Sequence, residues 1–89
     1  MKSTFEVSLY ALTDDYETVV LTFLDNLEKA GNLSFSTGGM STRIEGEAAE
    51  VFAVLGREFE RIQETGKALM VVKAGPGILR YEGRHNRQL

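Results

Sequence analysis

Apolar and polar residues alternate along Phe5-Glu6-Val7-Ser8-Leu9-Tyr10, a period of two that predicts a β-strand with one face buried. The period then changes. Tyr16, Val19, Val20, Phe23, Leu24 and Leu27 recur at three- and four-residue intervals, which predicts an amphipathic helix of about four turns. Thr13, Asp14 and Asp15 stand before it as short acceptors for the first free amides, and Asp14 with Glu17 has capping-box spacing. Gly31 closes the helix. Leu33-Ser34-Phe35-Ser36 alternates again, Thr37-Gly38-Gly39 is a turn, and Met40, Thr42 and Ile44 alternate with Ser41, Arg43 and Glu45. These segments predict a hairpin, with Met40 and Ile44 directed to the core. Gly46-Glu47 opens a second helix with the stripe Ala48, Val51, Phe52, Leu55, Phe59 and Ile62. Arg57, Glu58, Arg61 and Glu64 fall on its wet side, and Gly66 ends it. Ala68-Leu69-Met70-Val71-Val72 is unbroken and apolar, as in a strand covered on both faces or set against another subunit. Gly75-Pro76-Gly77 interrupts regular structure, leaving Ile78–Tyr81 as a short extra strand or part of a loose tail.

The predicted order is β-α-β-β-α-β. Each strand carries one apolar alternation, so both helices are expected on the same face of the sheet. This is an α+β, ferredoxin-like sandwich with a four-stranded antiparallel sheet. Right-handed crossovers and the hairpin give strand order 4-1-3-2. The chain of 89 residues is one domain, expected over 1–74, with 75–89 as a C-terminal extension or tail.

Composition narrows the chemistry. With no cysteine there is no disulfide, thiolate metal site or cysteine nucleophile, which fits a reducing compartment. The single histidine, His85, makes a zinc site within one chain unfavourable. No leader or transmembrane run is visible, so a soluble, cytoplasmic protein with no membrane partner is expected. The net charge of −3 argues against nucleic acid as a partner. Residues 74–89 carry three arginines against one glutamate, a net +2, leaving −5 on the remainder. A solvated tail is the simpler reading of that basic end.

With Phe5, Val7, Leu9, Leu33, Phe35, Met40 and Ile44 directed at the helices, the open sheet face displays Glu6, Ser8, Tyr10, Ser34, Ser36, Ser41, Arg43 and Glu45. Such a face either packs against a second subunit, the common remedy for a small core, or forms a polar pocket with directional hydroxyls. The serines lack a histidine base in the body of the domain, so nucleophilic catalysis is not expected. Asp14-Asp15 and Glu45-Glu47 sit at helix starts, where acids serve the dipole. We expect these acids together at one end of the first and third strands, where a neutral or cationic ligand is favoured. Thr37-Gly38-Gly39 joins two strands and lacks the phosphate-loop pattern. Tyr10 alone is too little stacking surface for an RNA-binding sheet.

Val7-Ser8-Leu9-Tyr10-Ala11-Leu12, Thr13-Asp14-Asp15-Tyr16, Gly39-Met40-Ser41-Thr42-Arg43-Ile44-Glu45-Gly46 and Glu50-Val51-Phe52 together resemble the thiamine/hydroxymethylpyrimidine-binding, or YkoF-like, family over about residues 5–74. The family's first strand ends Leu-Tyr-Pro-Leu, and Ala11 replaces the proline. The resemblance implies a non-catalytic binder of thiamine or its hydroxymethylpyrimidine moiety, needing no cofactor or metal and acting as a homodimer or homotetramer. Ser8, Tyr10, Thr37, Gly38, Gly39, Ser41, Thr42 and Glu45 are the expected ligand-binding residues. The glycine backbone there allows close approach to a ring. The alternative is a structural or regulatory interaction module whose open face only mediates oligomerisation.

Overall fold

The computed structural model describes residues 1–80 and 83–85. The element order is β1 (Lys2–Ala11), α1 (Tyr16–Ala30), β2 (Leu33–Thr37), β3 (Thr42–Glu47), α2 (Ala48–Thr65) and β4 (Ala68–Pro76). The strands form one antiparallel sheet in the order β2-β3-β1-β4, the ferredoxin-like arrangement expected from the pattern.

Alternation sets the two sides of the sheet. Phe5 lies opposite Ile44 and Val7 opposite Thr42, so these residues share the helix-covered side. Phe5, Val7 and Ile44 pack with Phe23 and Leu27 of α1 and with Val51, Val54 and Leu55 of α2. Phe52 meets Phe5 edge to face, with ring centroids 5.0 Å apart, although more than half of Phe52 stays in solvent. Gly31 and Gly66 end the helices in the left-handed conformation, at φ 81° and 64°, which a Cβ would strain.

Gly46 serves the core differently. A Cβ there would lie 3.1 Å from Val51 Cγ2 and 3.2 Å from the Leu33 Cβ. The missing side chain lets β3 approach α2 and β2 closely.

Several expectations change. Helix α1 has Asp15 at its N-cap with no side-chain cap bond, so the Asp14–Glu17 capping box does not form. Tyr16 is exposed, because the apolar stripe meets the sheet only from Val19 onward. The buried face of α2 runs through Val51, Val54, Leu55, Glu58 and Ile62. Phe52 and Phe59 sit at its margin, and Glu58, expected in solvent, is 7% exposed. Glu58 remains there because Asn26 Nδ2 donates to both carboxylate oxygens at 3.0 and 3.1 Å and Arg61 pairs with it at 2.9 Å.

Met40, expected in the core, is 92% exposed. Strand β3 begins only at Thr42, and residues 38–41 form a turn closed by the Gly38 N–H donating to the Ser41 carbonyl at 2.9 Å. The acids do not gather at one end either. Strands β1 and β3 run antiparallel, with Lys2 opposite Glu47, so Glu45 and Glu47 stand at the opposite end of the sheet from Asp14 and Asp15. Strand β4 is an edge strand, and Leu69, Val71 and Val72 are exposed, not covered on both faces.

Residues 77–80 form no strand. The chain turns at Gly77 and lies back over the open side of the sheet. The Thr4 hydroxyl donates to the Gly77 carbonyl at 2.8 Å and accepts from the Leu79 N–H at 2.9 Å. The expectation for Tyr81 lies outside the described residues.

Candidate functional site

The β2–β3 turn closes a recess at one end of the sheet, on the helix-covered side. Thr37, Gly38, Gly39, Met40, Ser41 and Thr42 form its rim, with Val7, Leu9, Val20 and Phe23 as its floor. Its volume is about 90 Å³. Sites that enclose drug-sized ligands run to about 300 Å³ and above, so this recess admits one end of a small ring.

The floor is apolar because Val7 and Leu9 are inward residues of β1 and because α1 presents Val20 and Phe23 to them. The rim is polar for a topological reason. Thr37 and Thr42 are the last directly paired residues of the hairpin, and their hydroxyls are 3.1 Å apart on the inner side. Either hydroxyl can donate to the other, leaving a donor or an acceptor for a guest.

Gly38 and Gly39 complete the rim. Neither has positive φ. A Cβ on Gly38 would meet only the Ser41 carbonyl, at 3.9 Å, and one on Gly39 would meet nothing within 4 Å. The fold itself does not require glycine at either position. An open backbone at the mouth of an apolar recess leaves room for a flat ring to approach main-chain N–H and C=O groups.

The predicted residues divide between the two faces. Thr37, Gly38, Gly39 and Thr42 meet at the recess. Ser41 belongs to both sides, since it lines the recess while its hydroxyl donates to Glu6 Oε2 at 3.2 Å on the open face. Ser8 faces the open side and donates to the Met40 carbonyl at 3.4 Å, holding the turn from behind. Tyr10, also on the open side, does not line the recess.

Glu45 is on the open face, where Ser34, Ser36, Arg43 and Arg80 surround it in a second hollow of about 280 Å³. Arg43 Nη2 reaches one Glu45 oxygen at 2.8 Å, and Arg80 Nη2 reaches both, at 3.0 and 3.1 Å. That carboxylate is neutralised by two guanidiniums. Arg43 also donates to the Leu79 carbonyl.

Residue pattern alone missed the recess floor. Val20 and Phe23 were legible as core, but their place under the turn depends on the tertiary packing of α1. A third hollow, about 200 Å³, lies between the start of α1 and the end of α2, with Asp15, Arg61 and Lys67 among its residues. It contains none of the predicted binding residues. Among the described residues, no group of three or more His, Asp or Glu is arranged to hold a metal ion. No described helix is long and apolar enough to cross a membrane.

The YKOF-related family model matches residues 2–73. The fold is similar to that of a Thermotoga maritima protein provisionally assigned to thiamine biosynthesis or salvage, with TM-score 0.76, 14% identity, and 86% of this chain and 85% of that chain covered. A Streptococcus pneumoniae protein gives TM-score 0.77 at 22% identity, covering 89% and 90%. A hypothetical protein of Methanocaldococcus jannaschii gives 0.72 at 18%, covering 96% and 87%. At these identities the likeness establishes the fold. No curated protein matches the chain.

Proposed function

The chain belongs to the YKOF-related family, and from that membership we propose that it is a non-catalytic binding protein for thiamine or its hydroxymethylpyrimidine moiety, acting as an oligomer in the cytoplasm. The observation that carries this reading is the recess beneath the β2–β3 turn, where an apolar floor meets a rim of two threonine hydroxyls and two glycines. The provisional assignment of the Thermotoga structure to thiamine biosynthesis or salvage supports the same ligand class.

The pyrimidine half suits the recess better than the cationic half. An aminopyrimidine is flat, with amine donors and ring-nitrogen acceptors at its edge, matching Thr37, Thr42 and open main chain. A thiazolium calls for a free carboxylate or an aromatic face. Glu45 is on the other side of the sheet and is already paired with Arg43 and Arg80. The ring therefore enters at the turn, and any thiazolium extends outward past Met40. No step of this binding requires a cofactor, and neither nucleic acid nor a membrane is a partner.

Calorimetric titration with hydroxymethylpyrimidine and with thiamine tests the reading. Heat of binding is expected for both, with the pyrimidine retaining most of the affinity. No heat and no thermal shift at millimolar concentrations of either would remove the proposal. A second reading, an interaction module with no small ligand, draws on the exposed Tyr10, Leu69 and Val71 of the open sheet side. The same titration decides between the two readings.

A further inference from the structure

The hollow of about 200 Å³ lies where α1 begins and α2 ends. Thr18 and Thr22, four residues apart, line it from one face of α1. Arg61 and Thr65 have the same spacing and line it from α2. Gly66 then turns the chain out of α2 in the left-handed conformation, at φ 64°, and brings Lys67 to the rim. The Leu12 N–H donates to the Lys67 carbonyl at 2.7 Å, which fixes this backbone against the segment leading into α1. Asp15, the N-cap residue of α1, lines the hollow as well.

Three charged groups here are incompletely used. Arg61 gives Nη2 to Glu58 at 2.9 Å, but its Nε is buried with no hydrogen-bond partner. Among the described residues it is the one buried side-chain nitrogen or oxygen in that state. A buried N–H with no acceptor in the chain costs free energy, and an acceptor brought by a guest would relieve that cost. Lys67 and Asp15 line the same hollow, yet neither side chain is in an ion pair among the described residues. Asp15 also makes no side-chain cap bond. The hollow therefore holds a cation and a carboxylate that do not neutralise each other.

We propose that this hollow binds a small aliphatic α-amino acid as its zwitterion. The carboxylate accepts from Arg61 Nε and Lys67, and the ammonium faces Asp15 and the threonine hydroxyls. Val19 and Ala68 supply an apolar wall for the side chain. The site is separate from the recess under the β2–β3 turn. Helix α1 contributes to both, with Val20 and Phe23 in the recess and Val19 and Thr22 in the hollow.

The mixture of charges selects the class of guest. A simple oxyanion would find Arg61 and Lys67 but would also meet the Asp15 carboxylate, and like charges repel. A simple amine would find Asp15 but would face two cations and leave Arg61 Nε without an acceptor. A guest carrying both charges answers all three groups, and each single-charge analogue is opposed by at least one of them. Size sets a further limit. Sites for drug-sized ligands begin near about 300 Å³, so a hollow of about 200 Å³ suits one amino acid and not a nucleotide or a peptide. Asp15 and Lys67 are exposed, and water screens them, so a low-millimolar dissociation constant is expected.

Two-dimensional NMR titration of the full chain tests the proposal, with L-valine as the probe. Saturable shifts are expected at the amides of residues 15–19 and 61–68 and at the Arg61 Nε–H resonance. Isovalerate keeps the carboxylate of valine and lacks its ammonium, and isobutylamine keeps the ammonium and lacks the carboxylate. Each should bind at least tenfold more weakly. Asp15→Asn and Lys67→Gln should each weaken valine binding at least threefold, and at exposed positions both variants should stay folded, as thermal unfolding will show. No saturable shift with L-valine at tens of millimolar would overturn the proposal. Isovalerate or inorganic phosphate binding as tightly as valine would make the hollow an oxyanion site, and isobutylamine binding as tightly would make it a cation site. Either result overturns the amino acid. Valine shifts centred on residues 37–42 would put the guest in the recess and overturn this site.

Discussion

The hydroxyls of Thr37 and Thr42 lie 3.1 Å apart at the mouth of the recess, on the side of the sheet that carries the helices. Thr42 is buried and Thr37 exposed, so the pair joins the core to solvent at the point where a ligand would enter. Replacing Thr42 with Val removes a hydrogen bond but keeps the volume. A net bond of this kind contributes about 1 kcal/mol, and Thr37 can turn to water when its partner is lost. The expected loss of stability is therefore below about 1 kcal/mol, read by urea unfolding. Hydroxymethylpyrimidine affinity should fall about tenfold, because the buried hydroxyl is no longer there to pair with the ring edge.

Ser8 tests whether the turn is held from the far side of the sheet. Its hydroxyl donates to the Met40 carbonyl at a long 3.4 Å, a weak tether on the turn. Ser8→Ala should change stability by no more than about 0.5 kcal/mol. It should weaken ligand binding a few-fold by loosening residues 38–41. Amide hydrogen exchange at Gly38, whose N–H donates to the Ser41 carbonyl, should quicken in the same variant. Unchanged exchange would assign Ser8 no part in the turn.

The elements and their order were legible in the sequence because the period of the apolar positions changes cleanly from two to near 3.6 and back. What remained hidden depends on pairing between distant segments. Alternation extended through Met40 on paper, yet the turn claims residues 38–41 and leaves that side chain in solvent. Glu58 read as a surface acid, because no local pattern reveals Asn26 across the helix interface. The candidate residues were named as one set, and their division between two faces follows from the β1–β3 register, with Val7 opposite Thr42 and Thr4 opposite Glu45. The role of residues 77–80 was illegible for the same reason. It rests on Thr4, more than seventy positions away.

Gly46 separates packing from binding within the segment that first carried the family resemblance. A Cβ at this position would lie 3.1 Å from Val51 Cγ2 and 3.2 Å from the Leu33 Cβ. Gly46→Ala forces β3 away from α2, and overpacking of this kind costs about 1–3 kcal/mol. Thermal unfolding should show a clear drop in midpoint. Ligand affinity, measured well below that midpoint, should hold within about twofold.

Glu58 provides a test of the interface between the helices. It is 7% exposed, accepts two bonds from Asn26 and pairs with Arg61. Glu58→Ala removes the acceptor and leaves the Asn26 amide short of a partner, at a cost of about 1.5–3 kcal/mol. Asn26→Ala should cost less, since Arg61 still compensates the carboxylate. A double-mutant cycle should give a coupling of about 0.5–3 kcal/mol between Asn26 and Glu58. Strict additivity would show that the contact contributes no coupling.

Gly39→Ala carries the sharpest contrast between fold and function. The backbone at Gly39 has no positive φ, and a Cβ there meets no atom of the chain within 4 Å. A substitution at such a site restricts the unfolded chain more than it strains the folded one. Stability should stay level or rise by up to about 1 kcal/mol. The added methyl nevertheless stands at the rim of the recess, where a ring would approach the main chain. Hydroxymethylpyrimidine affinity should fall at least fivefold while the unfolding midpoint is unchanged or higher. Thermal unfolding and calorimetry on one preparation give both readings. Loss of stability would mean that glycine serves the turn itself. Undiminished affinity would place the ligand away from Gly39 and remove the recess as its site.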